Sequence, residues 1–225
     1  MINLKNIKPK ILVIGDLIID HYLWGSCERI SPEAPVQVVN VGTESTLLGG
    51  AGNVVNNLNV LGAEVDVISV IGTCEASEEL KELLSNINVE THYLITQNDR
   101  VTSKKSRIIA EQQQVVRYDR ECTDEINNKS QEAILKIYKS IVSDYDCILL
   151  SDYGKGVLTF DLTQSLITIA HEQNKKLLVD PKGVDYAKYK NAYLLTPNKK
   201  EASDATNIHI NDNEELINAI QNLKN

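Results

Sequence analysis

The chain has 225 residues, of which 42% are hydrophobic and 24% are charged, a balance typical of a globular protein with one sizeable core. Its formal net charge of −8 argues against broad binding to nucleic acid or to an anionic membrane, but is compatible with a local basic pocket for a phosphorylated metabolite. No apolar stretch approaches the roughly 20 residues of a membrane helix, and the start shows no apolar signal segment, so we expect a cytoplasmic protein.

The four cysteines are far apart in the sequence and form no C-x-x-C pair. This spacing favours neither a zinc site nor a small disulfide scaffold. We therefore expect reduced thiols at Cys27, Cys74, Cys122 and Cys147.

Hydrophobic patterning predicts a first strand over residues 11–14. Residues 20–46 show no helical pattern and contain two prolines and short alternating apolar runs, which predict a small sheet or flap beside the main domain. Residues 101–119 form two extended runs with no helix between them and predict a second small antiparallel element. Elsewhere strands and helices alternate, with strands at 65–71, 93–96, 147–150, 177–179 and 193–195 and helices at 77–84, 131–142, 162–170 and 214–223.

This alternation predicts an α/β fold, a doubly wound, mostly parallel sheet that is buried on both faces and connected by right-handed crossovers. Asp212 is the predicted N-cap of the last helix. No strand follows that helix, so the domain looks unfinished, although the helix could instead close the domain.

A glycine-rich run, Leu47-Leu48-Gly49-Gly50-Ala51-Gly52-Asn53, leads directly into a helix that ends at Gly62. Adjacent glycines at a helix entrance allow the backbone to approach a ligand closely, and the first-turn amides then face that ligand. The run predicts a binding surface for a small polar molecule, and the alternative is a tight turn that serves packing alone. Under the binding interpretation, Gly50→Val abolishes binding and leaves the fold largely intact.

Two common nucleotide-binding motifs are excluded. Val55 occupies the third glycine position of a dinucleotide fingerprint, and the glycine run does not follow the first strand. Lys155 and Lys182 are each followed by glycine, where a Walker phosphate loop requires serine or threonine.

Polar residues follow four of the predicted strands. Asp16 and Asp20 follow the first strand, and polar segments at 152–156, 180–183 and 196–201 follow three later ones. The carboxyl ends of parallel strands share one edge of a sheet, where ligands bind. Carboxylates suit the hydroxyls of a polyol, and lysines and arginines suit phosphates, so the edge predicts a sugar or sugar phosphate meeting a nucleotide.

These motifs resemble those of the ribokinase-like (PfkB-type) carbohydrate kinases. Residues 49–53 resemble the glycine-rich sugar motif of that family, and residues 198–201 resemble its N-x-x-E element for magnesium and ATP phosphates. Four segments resemble the heptose 7-phosphate kinase branch in particular, namely 29–36, 112–117, 150–156 and 179–183. The similarity extends from about residue 10 to about residue 203.

The resemblance implies a role for each site residue. The sugar hydroxyls would be held by Asp16, Asp20, Gly49, Gly50 and Asn53. Arg107 and Lys182 are candidates for phosphate contacts, and either could instead be a solvated surface charge. The nucleotide would be bound by Asn198, Lys199, Lys200 and Glu201. Glu201 would also hold magnesium, and the alternative for this residue is an ordinary first-turn acid facing the helix dipole.

The implied activity is the ATP- and Mg²⁺-dependent phosphorylation of D-glycero-β-D-manno-heptose 7-phosphate at C1, in ADP-heptose synthesis for the lipopolysaccharide core. The segments at 20–46 and 101–119 would form a lid through which two copies dimerise. The family's catalytic aspartate lies in a G-A-G-D element well downstream of N-x-x-E, and these 225 residues contain no such element. We therefore expect residues 1–225 to be one partial kinase domain of the ribokinase-like fold, with its carboxyl-terminal part missing, the catalytic aspartate beyond Asn225 and no activity in this chain alone.

Two alternatives stay open: another ribokinase-like sugar kinase, and a non-catalytic module that binds a sugar phosphate. Related bifunctional proteins carry a nucleotidyltransferase with an H-x-G-H motif, which is absent here, so that activity is not expected in this chain. The expected partners are small molecules, with neither nucleic acid nor membrane.

Overall fold

The computed structural model describes residues 8–224 and consists of two β-sheets, one of them covered by helices on both faces. The strands are β1 (Lys10–Gly15), β2 (Leu17–Ile30), β3 (Gln37–Gly50), β4 (Glu64–Ile71), β5 (Leu94–Thr96), β6 (Ser103–Ala110), β7 (Gln113–Arg120), β8 (Cys147–Ser151), β9 (Lys176–Asp180) and β10 (Leu194–Leu195). The α-helices are α1 (Ala51–Val60), α2 (Glu75–Asn86), α3 (Asn128–Ile141), α4 (Phe160–Glu172), α5 (Lys199–Thr206) and α6 (Asn213–Lys224).

The central sheet has the order β10-β9-β8-β1-β4-β5, and all neighbouring strands are parallel. The chain passes from β1 to β4 and β5 on one side, and later adds β8, β9 and β10 on the other side. β1 therefore lies at the point where the winding reverses, which is where ligands bind in open α/β sheets. The predicted α/β architecture with a mostly parallel sheet is confirmed.

Side-chain alternation along β1 builds two separate cores. Leu12 and Ile14 are fully buried in one core, which contains side chains of α3 and α4. Val13 is fully buried in the other core, which contains side chains of α1 and α2. Apolar residues on both faces explain why the strands are near-continuous hydrophobic runs in the sequence.

The predicted helices are present, but α2, α3 and α4 begin two or three residues earlier than hydrophobic periodicity indicates. Polar caps explain the difference for α3 and α4, since the side chains of Asn127 and Thr159 accept hydrogen bonds from Ser130 and Leu162. Asp212 binds the amides of two first-turn residues of α6, as predicted. Among residues 8–224, none of the helices combines the length and the apolar character needed to cross a membrane.

The second sheet has the order β3-β2-β6-β7 and joins the segments at 20–46 and 101–119. β2 pairs antiparallel with β3, β6 pairs antiparallel with β7, and the parallel pairing of β2 with β6 joins the two hairpins. The predicted antiparallel element at 101–119 is present, but the joining of the two segments into one sheet was not predicted, because a parallel pairing across about eighty residues has no local signal. Only Asp16 separates β1 from β2, so this sheet starts at the carboxyl edge of the central sheet.

The glycine turn at 49–52 lies where the second sheet meets the carboxyl edge of the central sheet. Gly50 has a φ of 56°, in the left-handed region, and a Cβ there would lie 2.5 Å from the carbonyl oxygen of Asp16 and 2.9 Å from Ile18. The next amide, of Ala51, donates to that same carbonyl oxygen at 2.9 Å. Contacts this close contradict the expectation that a branched residue at Gly50 leaves the fold largely intact.

A glycine pair tests this conclusion. Gly62 also has a positive φ, 92°, but a Cβ there would have no heavy atom within 4 Å. We expect Gly62→Ala to lower the free energy of unfolding by about 1 kcal/mol, from backbone strain alone. Gly50→Ala should lower it by about 3 kcal/mol or more, because a backbone clash adds to the strain. Urea unfolding followed by circular dichroism measures both, and equal losses would show that the turn tolerates a side chain.

Candidate functional site

The candidate site lies where the carboxyl ends of β1, β8 and β9 meet the second sheet. Asp16 follows β1, the segment 152–157 follows β8, and Asp180 ends β9. The second sheet begins directly after Asp16. Because β1, β8 and β9 pair in parallel, the polar residues at their carboxyl ends lie along one edge of the sheet, as predicted.

Asp16 is 1% exposed, and both of its carboxylate oxygens are bound by backbone amides. Oδ2 accepts from Tyr153 at 2.8 Å and from Lys155 at 3.1 Å, while Oδ1 accepts from Val157 at 3.1 Å. Burial raises the pKa of the carboxyl group, and the Lys155 amide opposes that rise. Asp16 therefore fixes the loop after β8, and its direct contact with a sugar stays a prediction.

Asp20 lies on one face of the second sheet together with Gly49 and Arg107. The Arg107 guanidinium donates to Asp20 Oδ1 at 2.6 Å, and both side chains are partly exposed. A Cβ on Gly49 would lie 2.3 Å from Asp20 Oδ2, so only glycine leaves room for this carboxylate. The structure thus brings three predicted site residues together. One carboxylate oxygen of Asp20 lies beside the backbone of Gly49, where no side chain intervenes.

Asn53 and Gly50 lie at the start of α1. Gly50 is the N-cap residue and makes no side-chain cap, while Asn53 is exposed in the first helical turn. The first-turn amides of α1 thus have no side-chain cap, an arrangement that suits polar ligands.

A second group of predicted residues lies around the start of α5. Asn198 caps the helix by accepting from the amide of Glu201 at 3.0 Å, and Glu201 Oε2 accepts from the amide of Asn198 at 3.0 Å. Glu201 Oε1 also accepts from Lys182 Nζ at 3.1 Å. Lys199 and Lys200 are exposed. The N-x-x-E element is therefore a reciprocal capping box, and its role with nucleotide and metal stays a prediction.

Asp180 lies beside this group and was not among the predicted site residues. Burial raises the pKa of its carboxyl group, and the negative charge of nearby Glu201 raises it further. Two neighbouring carboxylates repel each other unless a cation lies between them. Within residues 8–224, no cluster of three or more histidine, cysteine, aspartate or glutamate side chains is arranged to hold a metal ion.

A buried network of hydrogen bonds and an ion pair lies at the carboxyl edge of the central sheet. The sequence did not predict most of its members. Asp152 is 4% exposed and accepts from the hydroxyl of Tyr189 at 2.8 Å and from the amide of Gly154 at 2.8 Å. Lys188 forms an ion pair with the same carboxylate. Tyr189 and Lys188 lie more than thirty residues from Asp152 in a short 3₁₀ helix, and no sequence motif links the two segments.

A cleft of about 260 Å³ lies elsewhere. It is lined by residues at the amino ends of β1 and β4, including Lys10 and Glu64. Ligands of parallel α/β sheets bind at the carboxyl ends, and none of the predicted site residues lines this cleft. We therefore assign the site by its chemistry and its place in the fold.

Comparison with known proteins matches residues 8–225 to the pfkB family carbohydrate kinases. The chain is 63% identical over 217 residues to the bifunctional protein HldE of Aliarcobacter butzleri, which covers 96% of this chain and 46% of that protein. It is 56% identical over 221 residues to HldE of Sulfurimonas denitrificans, covering 98% of this chain and 46% of that protein. The chain thus spans about half the length of the curated relatives it matches.

Solved structures show the same fold at low sequence identity. Ribokinase of Arabidopsis thaliana, complexed with ribose and ATP, has a TM-score of 0.69 at 14% identity, covering 96% of this chain and 69% of that one. Phosphofructokinase-2 of Escherichia coli has a TM-score of 0.70 at 20% identity, covering 95% of this chain and 69% of that one. These likenesses confirm the predicted ribokinase-like fold.

The two aspartates after β1 predict different effects on stability. Asp16→Ala leaves three backbone amides without acceptors, one of them buried and two partly buried, so we expect the free energy of unfolding to fall by about 3 kcal/mol or more. Asp20→Ala removes a partly exposed ion pair, so we expect a loss below about 1 kcal/mol. Urea unfolding of both variants measures the difference. A stable Asp16→Ala protein would show that the loop after β8 does not depend on this carboxylate.

Proposed function

Since the chain belongs to the pfkB family of carbohydrate kinases, we propose that it forms the acceptor-binding part of a kinase that transfers the γ-phosphate of ATP to D-glycero-β-D-manno-heptose 7-phosphate. The accepting group is the C1 hydroxyl, and the product is the 1,7-bisphosphate of ADP-heptose synthesis for the lipopolysaccharide core. The observation that carries the proposal is the 63% identity to a bifunctional HldE over 96% of the chain. The 217 aligned residues span the heptose-kinase-like segments of the sequence.

The sugar hydroxyls are held at the junction of β2, β3 and α1 in this proposal. Asp20 accepts from hydroxyls through the oxygen that Arg107 does not bind, and Gly49 and Gly50 bring the backbone close to the sugar ring. Asn53 lies beside them in the first turn of α1. Asp16 contributes by fixing the loop after β8. A direct contact with a sugar hydroxyl would require its carboxylate to lose one of its hydrogen bonds to a backbone amide.

In this proposal ATP and Mg²⁺ bind farther along the carboxyl edge of the central sheet, at the end of β9 and the start of α5. Glu201 and Asp180 would hold the metal, and the pKa of Asp180, which is raised by burial and then by the negative charge of Glu201, supports this fit. Lys182 would contact a phosphate, which requires it to exchange its ion pair with Glu201 for that contact. Lys199 and Lys200 are exposed at the start of α5 and are available to the nucleotide. Bound magnesium would neutralise phosphate charge during in-line transfer.

The second sheet is the lid of this proposal, and two copies of the chain associate through it. Large apolar side chains are exposed on its strands, among them Trp24, Val41, Leu47 and Tyr118. Exposed apolar side chains on these strands are available for contact with a second copy, and closure over the sugar excludes water from the transfer step. The four free cysteines are consistent with the reducing cytoplasm.

An ADP-release assay with a panel of acceptors tests the reaction. The 225-residue chain is compared with a version lengthened to the span of the HldE relatives, with heptose 7-phosphate, fructose 6-phosphate and ribose as acceptors. We expect the longer protein to turn over heptose 7-phosphate. The shorter chain should be about 10²–10⁴-fold slower or worse, since it contains no G-A-G-D element to supply a general base.

The same assay separates the alternatives. Turnover of ribose or fructose 6-phosphate in preference to the heptose would favour another sugar kinase. Tight sugar-phosphate binding by the longer protein without ADP release would favour a binding module. Comparable turnover by the two lengths would disprove the assignment of the missing aspartate.

Asp180 gives a pH-dependent test of the carboxylate pair. Its folded-state pKa is raised, so ionisation destabilises the fold, and this penalty appears as the pH rises through the folded-state pKa. We expect Asp180→Asn to raise the melting temperature by about 1–4 °C at pH 7 and to have no such effect well below pH 4. Adding Mg²⁺ should stabilise the parent chain and not the variant. A variant that is less stable than the parent at pH 7 would contradict the repulsion between Asp180 and Glu201.

A further inference from the structure

One face of the second sheet carries a dense group of charged side chains. Asp20 of β2 pairs in register with Lys105 of β6, which pairs in turn with Asp119 of β7. Arg107 and Arg117 follow two residues away on the same two strands and oppose each other. Because directly opposed residues point to the same side of a sheet, all five side chains lie on one face, the open face.

The loops beside the open face add Glu121, which follows β7, and Lys155, which follows β8. Three ion pairs account for most of the charges. Arg107 binds Asp20 at 2.6 Å, Arg117 binds Asp119 at 2.6 Å, and Lys155 binds Glu121 at 2.7 Å.

Lys105 is the fourth cation of this group. Across residues 8–224, no carboxylate oxygen lies within 4.0 Å of its Nζ, although Asp119 and Glu121 are close enough to affect it electrostatically. Each of the three carboxylates is already bound by another cation. With four cations and three carboxylates, the group has one positive charge in excess.

The surroundings of Lys105 favour an additional anion. Burial lowers the pKa of its ammonium group, and the positive charge of Lys155 lowers it further. An anionic ligand would remove this penalty by pairing with Lys105. Glu121 Oε2 is buried beside this group and has no hydrogen-bond donor among the described residues. A ligand that carries both an anionic group and hydroxyls would satisfy both needs.

We propose that Lys105 binds the phosphate group that the acceptor sugar already carries, while a hydroxyl of the same molecule donates to Glu121. This assignment rests on the proposed function, and it makes Lys105 the residue that distinguishes a phosphorylated sugar from a free one. Arg107 and Lys182, the phosphate candidates from the sequence, are already bound by Asp20 and Glu201. Asp20 lies next to Lys105, so one molecule can reach the hydroxyl site and the phosphate site together.

Binding measurements on Lys105→Met test the proposal, because methionine keeps most of the apolar stem and removes the charge. The probes are heptose 7-phosphate, free heptose, fructose 6-phosphate and free fructose, titrated by calorimetry. Trp24, the single tryptophan, lies on β2 two residues from Tyr22, the register partner of Arg107, and gives a second readout by fluorescence. We expect the parent chain to prefer heptose 7-phosphate over heptose, and Lys105→Met to weaken binding of the phosphorylated sugar on the order of 10- to 100-fold. Binding of free heptose should be unchanged.

Lys104→Met is the matched control. Lys104 is the preceding residue on β6, points to the opposite face and pairs with Glu79 of α2 at 2.7 Å. It should leave the affinities for all four probes unchanged. Circular dichroism of both variants shows whether each has folded.

The outcomes separate this proposal from the proposed function. If Lys105→Met weakens the phosphorylated and free sugars equally, or neither, the phosphate site is disproved. If the parent chain binds fructose 6-phosphate more tightly than heptose 7-phosphate and Lys105→Met weakens that binding, Lys105 is supported and the heptose assignment fails. If the parent chain binds free heptose as tightly as heptose 7-phosphate, the assignment of Lys105 fails and the choice of sugar stands. If it binds none of the four probes, both are overturned.

Discussion

The carboxylate of Asp16, bound by three backbone amides of the loop after β8, is the interaction on which the rest of the site depends. Asp16 is the single residue between β1 of the central sheet and β2 of the second sheet. Its side chain fixes the loop at 153–157, and its carbonyl oxygen accepts from the first residue of α1. One residue thus sets the relative positions of two sheets, a loop and a helix start. Displacing it would move every group that we assign to the acceptor sugar.

The loop after β8 is also held from its other side. Arg100 is 5% exposed, and its guanidinium donates to the carbonyl oxygens of Asp124 and Lys155. A buried guanidinium needs acceptors, and here backbone carbonyls supply them. Asp16 binds the amides of the loop while Arg100 binds one of its carbonyls. The main chain at Lys155 is consequently fixed, and so is the direction from which its side chain approaches Glu121 and Lys105.

The candidate site has a different charge balance at each of its two ends. On the open face of the second sheet, cations exceed carboxylates by one, and the excess charge is on Lys105. At the ends of β9 and α5, Asp180 and Glu201 bring two carboxylates together beside Lys182. The first arrangement suits an anionic group on the acceptor, and the second suits a metal-bound nucleotide. Opposite electrostatic preferences at the two ends would orient two negatively charged substrates toward each other.

The sequence by itself determined the alternation of strands and helices, the parallel character of the central sheet and the polar strand ends, because each follows from local hydrophobic periodicity or from a short motif. Local signals also explain why Asn198 and Glu201 were found, since residues three apart at a helix start contact each other in any fold. Only the tertiary structure decided what those residues do. The role of Asp16 depends on amides 137 to 141 residues away, and the excess charge of Lys105 depends on a strand register between β2, β6 and β7. Such contacts are set by long-range packing, which no local pattern encodes.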